Sequence, residues 1–350
     1  MKRKLIICNT YYQLILAIQM KLTIFKNDIV DLQISDQSVN ASDVAKRLNK
    51  LSVFNSVKFV ENKDEYATRS AVKKIKDVFV HSFVRAKNLE IPLYDEILFY
   101  NFETNFYKIN DYYKKINHKV IWSRMEEGIF SYSADCYTGG TIKLTSKVRK
   151  ILCKDNIIDN ITRYYCTEPE IASANGMYKD IVEIPKINAN DVYLVEILNN
   201  IFDYKYEKIN QKYIFFASSS DIDGVPFGET ELILKVADEV GKDNIIVKMH
   251  PRDTRRVYQE YGIEVMEKSC VPWEVIQLNM LRDEHILLTV TSGAFLGIAS
   301  MTGDIIKGYF LYNCIENKSE YLKGYIQNIQ KVFYELKKEN KCNGLFILNE

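Results

Sequence analysis

Short apolar runs recur along the chain between longer segments with helical periodicity, and this alternation limits the folds available to it. Strands that alternate with helices are typical of parallel sheets built from βαβ units. The sequence therefore predicts an α/β fold, whose ligands would bind in loops after the carboxyl ends of the strands. The predicted strands are Lys4–Cys8, Asp95–Tyr100, His118–Ser123, Lys212–Ala217, Asn244–Met249 and His285–Thr291, and the clearest predicted helices are Tyr11–Leu22, Ser42–Leu51 (with Ser42 as its cap) and Thr230–Val240.

The 350 residues are enough for about two domains at roughly 150 residues each. A polar, Asn-rich and partly helical segment at residues 186–211 separates two strand-rich halves. We therefore predict an N-terminal domain over residues 1–190, a second domain over 211–315 and a C-terminal helix within 316–350. The amphipathic pattern of Ser319–Lys341 favours a helix packed on a domain surface over one lying on a membrane.

Charge and cysteine content narrow the class of protein. The 47 basic and 46 acidic residues leave a net charge of +1, which argues against a dedicated nucleic-acid binder. The seven cysteines form no CxxC pair, which argues against a disulfide framework and against a zinc site. No segment reaches the roughly 18 apolar residues needed to span a bilayer. We predict a cytoplasmic protein with reduced cysteines and no metal.

His250 stands out among the four histidines because it directly follows a predicted strand. Pro251 restricts the backbone behind it, and Arg252, Arg255 and Arg256 come next. Arginine fits phosphate through paired hydrogen bonds, and a histidine beside a phosphate can act as a general acid. The alternative is a surface histidine on a solvated loop.

Two further segments favour a nucleotide ligand. Thr291 and Ser292 end another predicted strand and precede a helix, whose free N–H groups bind phosphate readily. The alternative is an ordinary hydroxyl cap of that helix. Glu274, near the start of a helix, suits a bidentate contact with ribose hydroxyls, or it simply offsets the helix dipole.

Two loops carry candidate bases. Glu126 and Glu127 are followed by Gly128 at a predicted strand end, in a loop that would hold one carboxylate toward a cleft. Another strand leads into the segment SSSDIDG (residues 218–224), in which Asp221 or Asp223 is the second choice of base. Ser219 and Ser220 of the same loop are candidate phosphate donors.

These motifs together resemble the bacterial sialyltransferases, most of all the lipooligosaccharide sialyltransferase family. The resemblance rests on IICNTYYQLILA near the N-terminus, MEEGIFSY at Met125–Tyr132, KMHPR at Lys248–Arg252 and the Thr291–Ser292 pair. It runs from residue 5 to about residue 300. It implies a GT-B architecture, in which two Rossmann-like domains flank a cleft that holds the active site.

The resemblance also implies an activity. Sialic acid would move from CMP-sialic acid to a galactose-type acceptor on lipooligosaccharide or capsule, by an inverting displacement that needs neither metal nor cofactor. His250 would assist departure of CMP, Thr291 and Ser292 would bind its phosphate, and Glu274 its ribose. Glu126 or Glu127 would be the base, unless the second domain supplies Asp221 or Asp223. The alternatives are a transferase for another nucleotide sugar and a non-catalytic nucleotide-sugar-binding protein of envelope assembly. A homodimer and attachment to the inner face of the cytoplasmic membrane are implied by resemblance alone.

Overall fold

A computed structural model describes residues 1–62, 71–85, 89–116, 118–132, 140–152, 154, 157–174, 178–267, 270–280, 285–304 and 306–348. The chain forms two compact units, one of residues 1–127 and 131–185, the other of residues 128–130 and 186–350. The polar segment 186–211, which sequence placed between the domains, therefore belongs to the second unit, and so does the C-terminal helix. Cys136 and Cys153, predicted to be reduced, lie outside the described residues.

The first unit is built on a sheet of parallel strands in the order β3-β2-β1-β4-β5-β6-β7. Its core includes Leu5, Ile97, Phe99, Phe106 and Trp122, from strands and from a helix that packs on them. The strands are β1 (Arg3–Cys8), β2 (Ile29–Ser35), β3 (Ser56–Val60), β4 (Glu96–Phe99), β5 (Ile121–Met125), β6 (Ile161–Cys166) and β7 (Asp180–Glu183). The helices are α1 (Tyr11–Leu22), α2 (Ala41–Leu51), α3 (Ala71–Phe83), α4 (Thr104–Lys115), α5 (Gly140–Ile151), α6 (Ile157–Asn160) and α7 (Pro169–Ala174).

The second unit repeats this plan with parallel strands in the order β10-β9-β8-β11-β12-β13. Its strands are β8 (Tyr213–Phe216), β9 (Ile245–Lys248), β10 (Glu264–Val265), β11 (Ile286–Thr289), β12 (Gly308–Phe310) and β13 (Leu345–Ile347). Its helices are α8 (Val192–Phe202), α9 (Glu229–Val240), α10 (Val257–Glu260), α11 (Trp273–Asn279), α12 (Ala294–Thr302) and α13 (Glu320–Lys338). In both units the strand order reverses beside a central strand, where open α/β sheets commonly bind ligands.

Local sequence explains the best-predicted helix. Thr10 caps α1 by accepting the backbone N–H of Gln13, and the Gln13 side chain accepts the backbone N–H of Thr10 in return. This reciprocal pair is a capping box, and it satisfies donors that the first turn leaves open. The helix therefore begins at Tyr11 and ends at Leu22, as the sequence predicts.

Several predicted boundaries shift by about one to three residues, among them those of α2 and β5. Helix α2 begins at Ala41 behind Asn40, whose φ of 63° places it in the left-handed region, so Ser42 lies inside the helix and does not cap it. Strand β5 begins at Ile121, three residues after the predicted start at His118, and it continues to Met125. Arg124 lies within the added end of the strand, where its guanidinium donates to the carbonyl oxygen of Tyr100 at 2.7 Å. Among the described residues, no helix combines the length and the apolar character needed to cross a membrane.

Candidate functional site

The carboxyl ends of three neighbouring strands of the second unit, β8, β9 and β11, open into one pocket of about 260 Å³. Six side chains selected from the sequence lie in its lining: Ser219, Ser220, Asp223, His250, Thr291 and Ser292. Ala217, Ser218, Phe227, Gly293, Tyr321, Leu322 and Tyr325 complete it. Parallel strands explain the convergence, because their carboxyl ends meet at one edge of the sheet.

The loop between β11 and α12 turns the start of a helix toward this pocket. Thr289 fixes the loop, because its hydroxyl donates to the carbonyl oxygen of Phe216 at 3.1 Å and accepts the backbone N–H of Ser292 at 2.9 Å. The Ser292 hydroxyl accepts the backbone N–H of Ala294 at 3.3 Å. Ser292 therefore contacts the helix start and lines the pocket at once. The remaining N–H groups of this first turn form an environment that favours an anion.

His250 has a defined tautomer and a low basicity. Its Nδ1 accepts the backbone N–H of Arg252 at 3.2 Å, so the neutral ring carries its proton on Nε2. Burial, with the nearby Arg252 guanidinium as a second cause, lowers the pKa of His250 from 6.5 to about 4. In the ligand-free protein the imidazole is therefore neutral at pH 7, and Nε2 can donate a hydrogen bond to an anion.

Arg252 and Asp223 link the loops that follow β9 and β8. The guanidinium donates from Nη1 and Nη2 to the two carboxylate oxygens of Asp223, at 2.9 and 3.1 Å. Ser219 joins them, donating to Asp223 at 2.7 Å and accepting from Arg252 at 3.1 Å. Both oxygens of Asp223 therefore accept hydrogen bonds, and Arg252 and Ser219 fix the position of this carboxylate.

None of the three arginines that follow His250 in sequence lines the pocket. Arg255 is held by two carboxylates, since its Nη1 donates to Asp221 at 2.9 Å and its Nη2 to Asp253 at 2.6 Å. Asp221 also accepts the Thr230 hydroxyl at 2.9 Å, and neither Asp221 nor Arg255 lines the pocket. Asp253 is close to Arg255 in sequence, but Asp221 comes from the loop after β8, so the sequence around His250 showed only one of the two partners.

Glu274 does not line the pocket either. It lies in the first turn of α11 and is only 9% exposed. Burial raises the pKa of its carboxyl group, and the nearby positive charge of Lys248 opposes that rise. The structure thus places Glu274 as a buried acid that interacts with a buried lysine, and the predicted ribose contact is not part of this pocket.

Several pocket residues were not anticipated from the sequence. Tyr321, Leu322 and Tyr325 come from α13, which the sequence predicted only as a surface helix. The rings of Tyr321 and Tyr325 lie 5.0 Å apart between centroids, with their planes inclined by 49°. Their spacing of four residues on one helix was the signal available, because such residues share a helix face.

Glu229 does not line the pocket, but it holds Ser218, which does. Its carboxylate accepts the backbone N–H of Ser218 at 2.6 Å and the Ser218 hydroxyl at 2.7 Å. The side chain is buried, and burial raises the pKa of Glu229 to about 7. Glu229 therefore fixes Ser218, whose hydroxyl also lies 3.1 Å from that of Ser220.

In the first unit the two neighbouring glutamates differ sharply. Glu126 is completely buried and accepts hydrogen bonds from the hydroxyls of Tyr12, Tyr132 and Thr167 and from the backbone N–H of Thr167, the last at 2.7 Å. Burial nevertheless raises the pKa of Glu126. Four donors and full burial make Glu126 a structural acceptor that joins α1, β5 and the segment after β6.

Glu127 instead lines a second pocket of about 400 Å³ in the first unit. Burial raises the pKa of Glu127 to about 7, and the charge of Arg124 opposes this rise. A carboxyl group with such a pKa suits a general base at neutral pH. The other lining residues are Gln37, Asp77, His81, Asn101, Phe102, Glu103, Tyr107, Thr141, Ile142 and Thr145.

The Tyr- and Phe-rich segment 100–113 contributes side chains both to this second pocket and to the core of the first unit. Phe102 and Tyr107 line the second pocket, whereas Phe106 and Tyr113 belong to the core. Among the described residues, no group of three or more His, Cys, Asp or Glu side chains lies close enough together to hold a metal ion.

Solved structures provide the comparisons. An α/β-galactoside α-2,3-sialyltransferase from Photobacterium phosphoreum matches over 99% of this chain and 98% of its own, with 10% identity and a TM-score of 0.54. A sialyltransferase from Photobacterium damsela matches over 99% of this chain and 81% of its own, with 12% identity and a TM-score of 0.50. No protein-family model matches the chain, and no curated protein matches its sequence.

At these identities the likeness concerns the fold. The predicted fold class, two Rossmann-like α/β units of the GT-B type, is confirmed by the two parallel sheets and by these full-length matches. The resemblance to bacterial sialyltransferases that four short motifs suggested is therefore matched at the level of the whole chain fold.

Proposed function

We propose that the chain is an inverting, metal-independent sialyltransferase that moves sialic acid from CMP-sialic acid to a galactose-type acceptor on a cell-surface glycan, lipooligosaccharide or capsule. One observation carries the proposal: the pocket of the second unit brings His250, the Ser219–Ser220 loop and the start of α12 together. This combination of a neutral imidazole, hydroxyls and helix N–H groups suits the phosphate group of a nucleotide. The likeness to two sialyltransferases, together with the four motifs, favours sialic acid as the sugar that is transferred.

The size of the pocket agrees with a nucleotide rather than a complete nucleotide sugar. Its volume of about 260 Å³ is below the ~300–1,000 Å³ typical of ligand pockets. Aromatic walls from Phe227, Tyr321 and Tyr325 face a space that also contains the phosphate donors. We therefore place the CMP part of the donor in this pocket, with the sugar directed out of it.

The reaction is a single displacement. The acceptor hydroxyl oxygen forms a bond to the anomeric carbon of sialic acid while the bond from that carbon to the phosphate oxygen of CMP breaks. Negative charge then develops on the phosphate, where donors already in place stabilise it most. His250 donates a hydrogen bond from Nε2 to the phosphate and so stabilises the negative charge that develops on the leaving oxygen. No metal is assigned a part, because these protein donors would neutralise the charge.

The base that removes the acceptor proton is proposed to be Glu127. Its pKa of about 7 and its position in a pocket both suit that role. Asp223 is the second choice, because it lines the nucleotide pocket but is bound by Arg252 and Ser219. Glu126 is the least suitable of the three, because it is fully buried among four donors. The homodimer and the cytoplasmic location stay predictions.

Calorimetric titration of the full chain with CMP, CDP, UDP and GDP in the presence of EDTA tests the donor. Selective binding of CMP is expected. Stronger binding of UDP would indicate a UDP-sugar as the donor instead of CMP-sialic acid. The absence of binding to all four nucleotides would overturn the proposal. Release of CMP from CMP-sialic acid, with formation of a sialylated galactoside, tests the transfer itself.

Two histidine variants make the second assay specific. His250→Ala is expected to lower turnover on the order of 100-fold or more while weakening CMP binding much less. His118→Ala is the matched control, because His118 lies in the first unit, where its Nε2 contacts the carbonyl oxygen of Tyr94 at 3.0 Å. Equal losses in the two variants would show that removal of any partly buried histidine, rather than loss of a catalytic group, explains the result.

A further inference from the structure

Helix α3 exposes a stripe of large apolar side chains. Val72 is 78% exposed, Ile75 70%, Phe79 64% and Phe83 47%. Their spacings of three and four residues place them on one face of the helix. The rings of Phe79 and Phe83 lie 4.7 Å apart between centroids, so the stripe is continuous at its end.

Helix α5 adds a second stripe beside the first. The two helices pack against each other, and Nη1 of Arg149 on α5 donates to the backbone carbonyl oxygen of His81 on α3 at 2.9 Å. On the outer side of α5, Leu144 is 49% and Ile151 81% exposed, whereas Thr145 and Arg149 are buried. The exposed faces therefore lie side by side, and we call them together the α3/α5 surface.

This surface is strongly basic as well as apolar. The two helices carry six lysines, namely Lys73, Lys74, Lys76, Lys143, Lys147 and Lys150, and all but Lys73 are exposed. Their one acid is Asp77, which lines the pocket of the first unit. The whole chain has a net charge of only +1, so this excess of positive charge is local.

We propose that the α3/α5 surface is a docking site for an anionic lipid membrane. A helix that lies in a membrane interface presents an apolar face to the acyl chains and lysines to the headgroups, and α3 and α5 both have this pattern. Lysine stems can bury along apolar surface while their amino groups stay at headgroup level. Anionic headgroups complement the charge of the five exposed lysines.

The charge also argues against a second copy of the chain as the occupant. In a two-fold symmetric dimer the same patch would face itself, so the lysines of one copy would lie opposite those of the other. Like charges brought together in this way oppose association. An acidic protein would also complement the lysines. A planar membrane explains more simply why exposed apolar side chains extend along both α3 and α5.

The proposal is independent of the proposed catalytic function. The apolar and lysine side chains of the α3/α5 surface line neither the pocket near His250 nor the pocket near Glu127. The opposite sides of the same helices carry the pocket residues Asp77, His81, Thr141, Ile142 and Thr145. Membrane binding and ligand binding can therefore be measured separately on the same variants.

Co-sedimentation of the full chain with lipid vesicles provides the test. Vesicles of phosphatidylcholine alone are compared with vesicles that also contain phosphatidylglycerol, at low and at physiological salt. Binding to the phosphatidylglycerol vesicles is expected, with weaker binding as salt screens the lysines. No binding to them, or equal binding to both kinds of vesicle, would overturn the proposal.

Two sets of variants locate the contact. The triple change Val72→Ser, Ile75→Ser and Phe79→Ser is expected to reduce partitioning by at least about tenfold, because it removes the apolar anchor. The matched control is Val192→Ser with Tyr193→Ser on α8, where the two side chains are 65% and 60% exposed. This control should bind as the unchanged chain does.

Light scattering in the absence of vesicles completes the design. If the unchanged chain is a dimer that the triple variant abolishes, and vesicles are not bound, the surface joins two copies and the membrane proposal is wrong. If the triple variant sediments with vesicles as well as the unchanged chain does, the proposal is likewise wrong. Unaltered melting of the triple variant is expected, because its substitutions lie on the surface.

Discussion

The backbone N–H of Arg252 donates to Nδ1 of His250 over 3.2 Å, so the neutral imidazole of His250 carries its proton on Nε2. The guanidinium of Arg252 forms a bidentate ion pair with the carboxylate of Asp223. Arg252 thereby sets the tautomer of His250 through its backbone, and its side chain forms an ion pair with Asp223, one of the candidate bases.

The low pKa of His250 predicts a particular dependence of stability on pH. Burial and the charge of Arg252 lower this pKa from 6.5 to about 4. Between these values the unfolded chain binds a proton that the folded chain does not, so the free energy of unfolding falls as pH decreases from about 6.5 to 4. Melting curves of the ligand-free protein should show this decline, and His250→Ala should make it less steep. An unchanged slope in the variant would contradict the low pKa.

Substitution by glutamine is expected to affect activity at Glu127 and stability at Glu126. Glu127→Gln should reduce transfer on the order of 100-fold or more and leave CMP affinity unchanged, because it removes the proposed base. Glu126→Gln should lower the free energy of unfolding by about 1–3 kcal/mol, because an amide NH₂ group then faces buried donors. Turnover and denaturant unfolding measured on both variants check this.

The pH profile provides an independent control on Glu127. Because burial raises its pKa to about 7, the fraction of ionised base grows as pH rises through that value. Transfer by the unchanged chain should increase over the same range. Retention of full transfer by Glu127→Gln would remove Glu127 from the reaction and turn attention to Asp223.

The Arg252–Asp223 pair distinguishes an ion-pair partner from a base. If Asp223 only anchors Arg252, then Asp223→Asn and Arg252→Gln should have similar small effects, and the double variant should lose little more than either. The coupling energy should be about 1 kcal/mol or less, because Arg252 is 53% exposed. CMP affinity and turnover are measured for the unchanged chain, the two single variants and the double variant, which together form a double-mutant cycle. A loss of turnover above about 100-fold in Asp223→Asn alone would identify Asp223 as the base.

The fold was predictable where apolar runs were uninterrupted and caps were local. β1 and α1 follow directly from LIIC and from the Thr10–Gln13 capping box. β2 was missed because Asp31 interrupts its apolar pattern, and this buried acid is satisfied by Arg3, Asn55 and Ser56, at 2.8, 2.6 and 2.7 Å. Partners so far along the chain cannot be assigned from sequence.

The candidate site shows the same division between local and distant information. His250 and Ser292 could be brought together from sequence, because each follows a strand and parallel strands share an edge. Arg255 was grouped with His250 in sequence, but its charge is neutralised in part by Asp221, which lies on another loop. Glu229 was missed because an acid in the first turn of a helix is ordinarily explained by the helix dipole, whereas here it holds Ser218.

Tyr321 and Tyr325 yield the last prediction, because α13 brings their rings into the lining of the same pocket as His250 and Ser292. If the nucleoside part of CMP packs against them, Tyr325→Ala should weaken CMP binding by about 1 kcal/mol, or roughly fivefold, whereas Tyr325→Phe should preserve it. Inorganic phosphate should bind both variants equally, because we place its contacts at the start of α12. Tyr334→Ala is the matched control, since Tyr334 is on α13 but outside this pocket. Equal weakening of phosphate and CMP by Tyr325→Ala would show that the ring supports the pocket instead of contacting the nucleoside.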